Sequence, residues 1–465
     1  MDILFCSVPG TFSQRPPLGL AILKACALAA GFSAATQDLN IEVVNQITKH
    51  PQRAELELFS KQQVIGTVEK TIGDLIEYCV NRILEVNPKI VGLSLLTQEN
   101  QFFATWLCYH LRFRAPNIHI LIGGSGIKTF IAQSTVDFGN FLKSNNLIDG
   151  YINGDGEYSI VEYLRKNYTA PGINSSSWEQ IVNLNQLPYP DFNDYNWSLY
   201  SEVGIPICDS RGCVRSCEFC DIIEHWTRYI YRSADNIFNE MLHQIDKYGI
   251  TKFFFYNSLT NGNMKEFNLL LDKICDYNLI HTIPISWDGY FIVRSAKQHP
   301  EEFWKKLSLS NGYLQLGIES VIENVRMSLG KKFTNSDIDH HLDMAQKYNI
   351  PLLLLLIVGY PTETQENFKF TKQWFSDRVK YAKKPIDHVV LSLASILPNT
   401  QLDKRKTSYG IEQGELPMMW IMKQNSISVA DRVTYYDELV ILLQSLNMAT
   451  TVGNNGLEIA RNEGV

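Results

Sequence analysis

Three cysteines stand close together in the segment Cys213-Val214-Arg215-Ser216-Cys217-Glu218-Phe219-Cys220. Thiolates spaced four and three residues apart can converge from one short loop on a single iron–sulfur cluster, and three local ligands leave one iron open to another molecule. Zinc is the competing occupant, with His225 completing a Cys₃His site, although structural zinc sites usually use paired C-x₂-C knuckles. Gly212 permits a tight turn, and 205–209 reads as a strand, so the thiols follow a strand's carboxyl end, a place for chemistry. The other cysteines, Cys6, Cys26, Cys79, Cys108, Cys208 and Cys275, are scattered among apolar neighbours, as buried thiols commonly are.

A loop of this kind needs a scaffold, and 465 residues are enough for two or three domains. Over 1–170, strand patterns at 2–8, 89–96, 119–122 and 150–152 alternate with helical ones at 18–30 and 100–113. This alternation predicts an α/β fold with an open, Rossmann-like parallel sheet. Over 171–200 the composition shifts to Ser, Asn, Pro and Tyr with no sustained period, which reads as a linker. A second series, with strands at 205–209, 253–256, 284–287, 313–317, 352–358 and 389–397 and helices such as 233–248, predicts a partial (β/α)₆ TIM-like barrel over 201–402. The rest, 403–465, is less regular and reads as a small helical cap.

Hydrophobic residues at 45% and charged ones at 20% supply large cores and exclude a disordered chain. The net charge of −7 argues against a broad phosphate-gripping surface, so a nucleic-acid substrate is not indicated. The longest apolar run, 352–358, falls far short of the ~20 residues a membrane helix needs, and no basic n-region opens the chain. A cytoplasmic protein without membrane contact is expected.

The C-x₃-C-x₂-C pattern with an aromatic at Phe219 resembles the signature of the radical S-adenosylmethionine (SAM) superfamily. Leu314-Gln315-Leu316-Gly317-Ile318-Glu319-Ser320 resembles its GIES segment, and Gly359-Tyr360-Pro361-Thr362-Glu363-Thr364 its GxPxET segment. Leu397-Pro398-Asn399-Thr400-Gln401-Leu402 resembles its P-x-T-x-L end, with Asn399 where relatives commonly have glycine. The resemblance implies a [4Fe-4S] cluster on Cys213, Cys217 and Cys220, reductive cleavage of SAM to a 5′-deoxyadenosyl radical, and a one-electron donor such as flavodoxin or ferredoxin. It also implies the SAM contacts: Phe219 and Ile357 at the adenine, Asn257 and Ser258 near the methionine end, Glu319 at the ribose or amino group, and Lys331 at the carboxylate, with Gly359 beside them. A core strand residue is the other reading of Ile357, and a solvated helix end that of Lys331. Arg294 reads as a further carboxylate partner or as a surface ion pair.

The first domain resembles the cobalamin-binding domain that precedes many such barrels, on Arg15-Pro16-Pro17-Leu18-Gly19-Leu20, Ser94, Gly123-Gly124 and Gly154-Asp155-Gly156-Glu157. Ser94, Gly123 and Gly124 would then border the nucleotide tail. Where the family's D-x-H-x-x-G would offer a histidine to cobalt, this chain has Pro9-Gly10-Thr11-Phe12-Ser13-Gln14, and no histidine precedes His50. Cobalamin binding and a Rossmann-like domain kept for packing both stay open. So do three functions: a cobalamin-dependent methyltransferase acting on a metabolite or peptide, a cobalamin-independent radical oxidoreductase or rearrangement enzyme, and a non-catalytic iron–sulfur sensor. A methylthiotransferase with a second cluster on Cys6, Cys26 and Cys79 is a weaker fourth reading.

Overall fold

Along β1 (Ile3–Ser7) the side chains alternate between two cores, Ile3 and Phe5 into one and Leu4 and Cys6 into the other. The same period runs through β3 (Ile90–Ser94) and β4 (His119–Gly123), as it must in a sheet covered on both faces. Helices Glu69–Val86 and Asn100–Arg114 cover one face, Leu18–Ala29 and Gly156–Arg165 the other. With β2 (Ala34–Gln37) and β5 (Gly150–Ile152) the order is β2-β1-β3-β4-β5, all parallel. The order reverses between β1 and β3, and the crevice beyond the carboxyl ends of those two strands is where open sheets of this order bind ligands.

This computed structural model describes residues 1–10, 15–60, 69–127, 137–168, 173–174, 180–380, 386–414, 417–422 and 427–452. They divide into two units, Met1–Pro206 and Ile207–Val465. No described helix is long and apolar enough to cross a membrane.

The chain crosses into the second unit within β6 (Ile205–Ile207), and a small antiparallel ladder of β7 (Ser210–Arg211) and β8 (Ile230–Tyr231) follows. There follow β9 (Lys252–Phe255), β10 (Ser286–Phe291), β11 (Gly312–Glu319), β12 (Leu352–Val358) and β13 (Ile386–Leu393). Beyond a hairpin of β14 (Ile411–Gln413) and β15 (Trp420–Met422), the chain ends its described course in β16 (Ala449–Val452). The sheet order β16-β13-β12-β11-β10-β9-β6 bears out the six expected strands and adds a seventh. The region 403–465 therefore does more than cap: besides helix Val429–Ser445 it supplies the strand that pairs with β13. Thr450 and Thr451 lie within that short strand, which left no apolar run to find.

The stretch expected as a linker, 171–200, is instead fastened along the first unit where it is described. Lys24, in helix Leu18–Ala29, holds Asp191 at 2.9 Å and Asp194 at 2.6 Å, with its side chain only 5% exposed. Tyr200 donates to Asp38 Oδ2 at 2.7 Å, and Arg15 pairs with Glu202 at 2.6 Å. Asp194 also takes the Thr36 amide of β2 at 2.8 Å, so a polar tail edges the short strand. Replacing Lys24 by Ala leaves two carboxylates facing a buried site. We expect a loss of about 2 kcal/mol in urea unfolding, and no measurable loss for Lys89→Ala, whose ion pair to Asp2 is exposed.

Candidate functional site

The cysteine loop leaves the end of β6 and is closed by the β7–β8 ladder. Gly212 has φ +81°, and a side chain there would overlap the Arg228 carbonyl, so glycine is required where the loop folds back. Cys217 is buried and Cys213 and Cys220 partly so; all three are free thiols. The Cys220 amide donates to the Cys217 carbonyl at 3.2 Å, and the Arg215 amide to Cys213 Sγ at 3.4 Å. Burial pushes the Cys217 thiol up, partly offset by Lys331, and pushes Cys220 up to about 12. Among the described residues no three His, Cys, Asp or Glu are gathered closely enough to ligate one metal ion, which holds for the three cysteines as it does for a zinc site completed by His225.

Next to the thiols stands a buried ion pair. Lys331 Nζ is 2.9 Å from Glu319 Oε1, donates to the Gly317 carbonyl at 3.0 Å, and lies 5.8 Å from the centroid of the Phe219 ring. Burial depresses the Lys331 ammonium, but the Glu319 carboxylate and the Cys217 sulfur outweigh it and leave its pKa raised. Lys331 is therefore no solvated helix end: its neighbour Lys332 is exposed and it is not. Glu319 ends β11 at an irregularity in register and has φ +59°, an uncommon conformation for a residue with a side chain.

Phe219 and half-buried Ile357 pack against one apolar cluster that includes Leu329, Tyr360 and Trp420. Ile357 thus shares its surroundings with the cysteine loop. Asn257 donates to Ser210 Oγ at 2.8 Å and leaves its Oδ1 buried without a partner, while Ser258 is half-buried beside it. Arg294 makes no ion pair among the described residues; its Nη2 donates to the carbonyls of Asn261 and Gly262 at 3.0 and 3.2 Å, and its Nε is buried without an acceptor. Asn399 has φ +67°, a left-handed conformation that asparagine and glycine adopt more readily than other residues.

Gly359 follows β12 with φ +75°, and a Cβ there would meet Arg432 Cγ at 2.7 Å. Its amide donates to Glu363 Oε2 at 2.6 Å. Arg432 was not singled out from the sequence, since nothing local distinguishes it. It is fully buried, with its guanidinium 3.7 Å from the Trp420 ring and donating to the carbonyls of Ala394, Met418 and Trp420.

In the first unit, Ser94 and Gly123 face each other in register at the carboxyl ends of β3 and β4. Gly124 has φ +97°, and a Cβ would overlap the Leu95 carbonyl, so neighbouring backbone alone demands glycine. Gly123 has room, its nearest neighbour at 3.7 Å. The crevice between β1 and β3 is bridged by buried Asn100, another residue the sequence reading passed over. Its Oδ1 accepts from the amides of Leu96 and Thr97, and its Nδ2 donates to the carbonyls of Val8 and Pro9. Residues 11–14 of the segment standing in for D-x-H-x-x-G lie outside the described residues. His50 follows helix Leu39–Thr48, which runs back from the carboxyl edge, and accepts from the Gln52 amide. Cys6 and Cys79 belong to one apolar core, where burial holds both thiols protonated, while Cys26 is on the helix covering the opposite face. The three are not brought together for a second cluster.

The Radical SAM superfamily profile matches residues 207–375. The "Uncharacterized methyltransferase PH0819" of Pyrococcus horikoshii is 25% identical over 344 residues, covering 69% of this chain and 70% of that protein. The "Anaerobic magnesium-protoporphyrin IX monomethyl ester cyclase" of Cereibacter sphaeroides is 22% identical over 77% of this chain, which spans about half (55%) of that protein. Among solved structures, the radical S-adenosylmethionine methyltransferase TsrM from Kitasatospora setae, with cobalamin and a [4Fe-4S] cluster bound, matches with a TM-score of 0.62 at 15% identity, covering 93% of this chain and 84% of that one. The cobalamin-dependent S-adenosylmethionine radical enzyme OxsB with aqua-cobalamin bound matches with a TM-score of 0.67 at 14% identity, covering 96% and 67%. These structures establish a shared fold.

Burial raises the Glu363 carboxyl to about 7, against the smaller opposing effect of the Gly359 and Tyr360 amides. Since the folded value lies above the ordinary 4.5, the stability tied to its neutral form is full below pH 4.5 and lost as pH rises through 7. Glu363→Gln should therefore gain on the wild type by about 2 kcal/mol between pH 5 and pH 8 in urea unfolding. Parallel pH curves for the two proteins would show that Glu363 is ionised throughout.

Proposed function

We propose that this chain, a radical SAM enzyme with its radical SAM domain at residues 207–375, methylates an unactivated carbon or phosphorus centre of a small molecule or peptide with cobalamin as methyl carrier. The observation that carries this reading is the first unit's β2-β1-β3-β4-β5 order, with Ser94 and Gly123 at its carboxyl edge, in the same chain as the cysteine loop. The printed names of PH0819 and TsrM as methyltransferases support it. Flavodoxin or ferredoxin would supply the electron, in the cytosol.

The residues suit the groups. Three free thiols on one folded loop would hold the cluster, leaving an iron for SAM. The orphaned Asn257 Oδ1 would accept from an ammonium group, and Phe219 and Ile357, which pack against one apolar cluster, would meet a flat base. When bound, the cluster and SAM supply one-electron cleavage to methionine and a 5′-deoxyadenosyl radical, and cobalamin supplies the methyl group. The chain's own part is placement and exclusion of water: the Glu319–Lys331 pair keeps fixed charges in a buried site, where they need no reorganisation when a polar ligand arrives. At the carboxyl edge of the first sheet, Ser94 and Gly123 would border the bound cobalamin, and no histidine stands there among the described residues.

Anaerobic reconstitution tests the first half of the reading. The wild type should take up about four irons per chain and, with dithionite, form 5′-deoxyadenosine from SAM. Cys213→Ala, Cys217→Ala and Cys220→Ala together should abolish both. An intact, reducible cluster that yields no 5′-deoxyadenosine would favour a sensor, and zinc in place of iron would restore the structural-metal reading.

Cobalamin is tested separately by equilibrium dialysis with hydroxocobalamin at micromolar concentration. Because Gly124 is needed by the fold, Gly123→Leu is the informative variant: it should reduce retention at least tenfold with unchanged iron content. Absence of retention by the wild type would sink the methyltransferase and leave a cobalamin-independent radical oxidoreductase or rearrangement enzyme.

A further inference from the structure

Between Cys217 and Cys220 the loop carries a carboxylate, Glu218, whose side chain is 13% exposed. Its Oε1 accepts from Arg405 Nη1, and its Oε2 from the Tyr409 hydroxyl at 3.1 Å. The main chain of the same residue is held from both sides: its amide donates to the Leu329 carbonyl at 3.0 Å, and its carbonyl accepts from the Leu402 amide at 2.8 Å. Gly330, with φ +81°, brings that neighbouring turn close, and a Cβ there would lie 3.4 Å from Cys217 Cα.

Charge makes this arrangement more than a fastening. A cluster with its thiolates is negative and becomes more so on reduction, so a bare carboxylate one residue from a ligand opposes the incoming electron. The acid is the buried partner and Arg405, at 58% exposure, the accessible one, so a cation is brought to a carboxylate the loop has turned inward. An acid serving only solubility would point to water.

We propose that Arg405 and Tyr409 are positioning residues that act through Glu218, fixing the Cys217–Cys220 stretch for its cluster and cancelling the carboxylate's charge beside it. This rests on the cluster assignment above, and ties the reduction of the cluster to the C-terminal region that follows the radical SAM match.

Two measurements on the full chain test it. In redox titrations of the reconstituted holoprotein followed by electron paramagnetic resonance, Glu218→Gln should raise the reduced-to-oxidised ratio at fixed potential about threefold and Arg405→Gln should lower it about threefold, by the Coulomb effect of one partly screened charge. The double variant should return close to wild type and Arg405→Lys should rescue. A merely structural role would move both single variants the same way. Amide hydrogen exchange over 213–220, measured without metal, should quicken about tenfold in Arg405→Gln and in Tyr409→Phe, and stay near wild type in Arg405→Lys. Unchanged exchange, or shifts of one sign in both charge variants, would overturn the proposal. A wild type that binds no cluster but shows the expected exchange pattern would overturn the cluster assignment and the electron-transfer role while retaining the fastening.

Discussion

Everything at the barrel mouth is arranged around the buried pair of Glu319 and Lys331. A carboxylate and an ammonium taken out of water each cost several kcal/mol unless they meet and their remaining hydrogen-bonding capacity is used. Here the meeting requires β11 to change course: the register slips after Gly317, and Glu319 turns to positive φ so that its side chain reaches Lys331. Gly317 leaves room for the pair, because a Cβ would come within 2.9 Å of Glu319 Oε1 and 3.1 Å of Lys331 Nζ and would push their ends aside. The glycine and the acid of this segment are thus two parts of one steric and electrostatic solution, and the pair's closeness to Cys217 and Phe219 joins it to the cysteine loop.

Both units meet the same difficulty, that parallel strands end in loops whose backbone polar groups are buried without a ladder to satisfy them. Single side chains answer it. Asn100 serves two amides and two carbonyls between β1 and β3. Buried Arg326 reaches the Ser320 carbonyl at 2.8 Å and Asn335 Oδ1 at 2.6 Å, holding the turn after Glu319. Arg432 serves three carbonyls and lies against Gly359, which explains why the region after the sixth barrel strand is built into the unit. Guanidinium suits the task because its several donors lie in one plane and its faces stack on aromatic rings.

Much of the architecture was legible from hydrophobic patterning. The strand at Leu352–Val358 was bounded to the residue, and helix Ala234–Tyr248 lies between the cap Ser233 and the left-handed Gly249. What escaped were elements with weak local signals: β2, whose Thr36 and Gln37 hide its pattern, and β16 with its threonines. The polar 171–200 stretch reads as a linker because the partners of its described residues, Lys24 and Asp38, lie more than 150 positions away.

The sequence by itself determined the chemistry that the cysteine loop can do, since thiol spacing in one short segment is a local property, and it determined the order of strands and helices, since periodicity is local too. Only the tertiary structure decided which charges are spent on one another. Lys331 beside exposed Lys332, Glu218 in a loop 187 residues before Arg405, and Arg432 beneath Gly359 are ordinary in the chain. Their roles come from burial, which makes an unpaired charge costly and so forces distant residues together. Gly124 makes the same point in reverse: its motif suggested room for a ligand, and its conformation shows a backbone carbonyl already there.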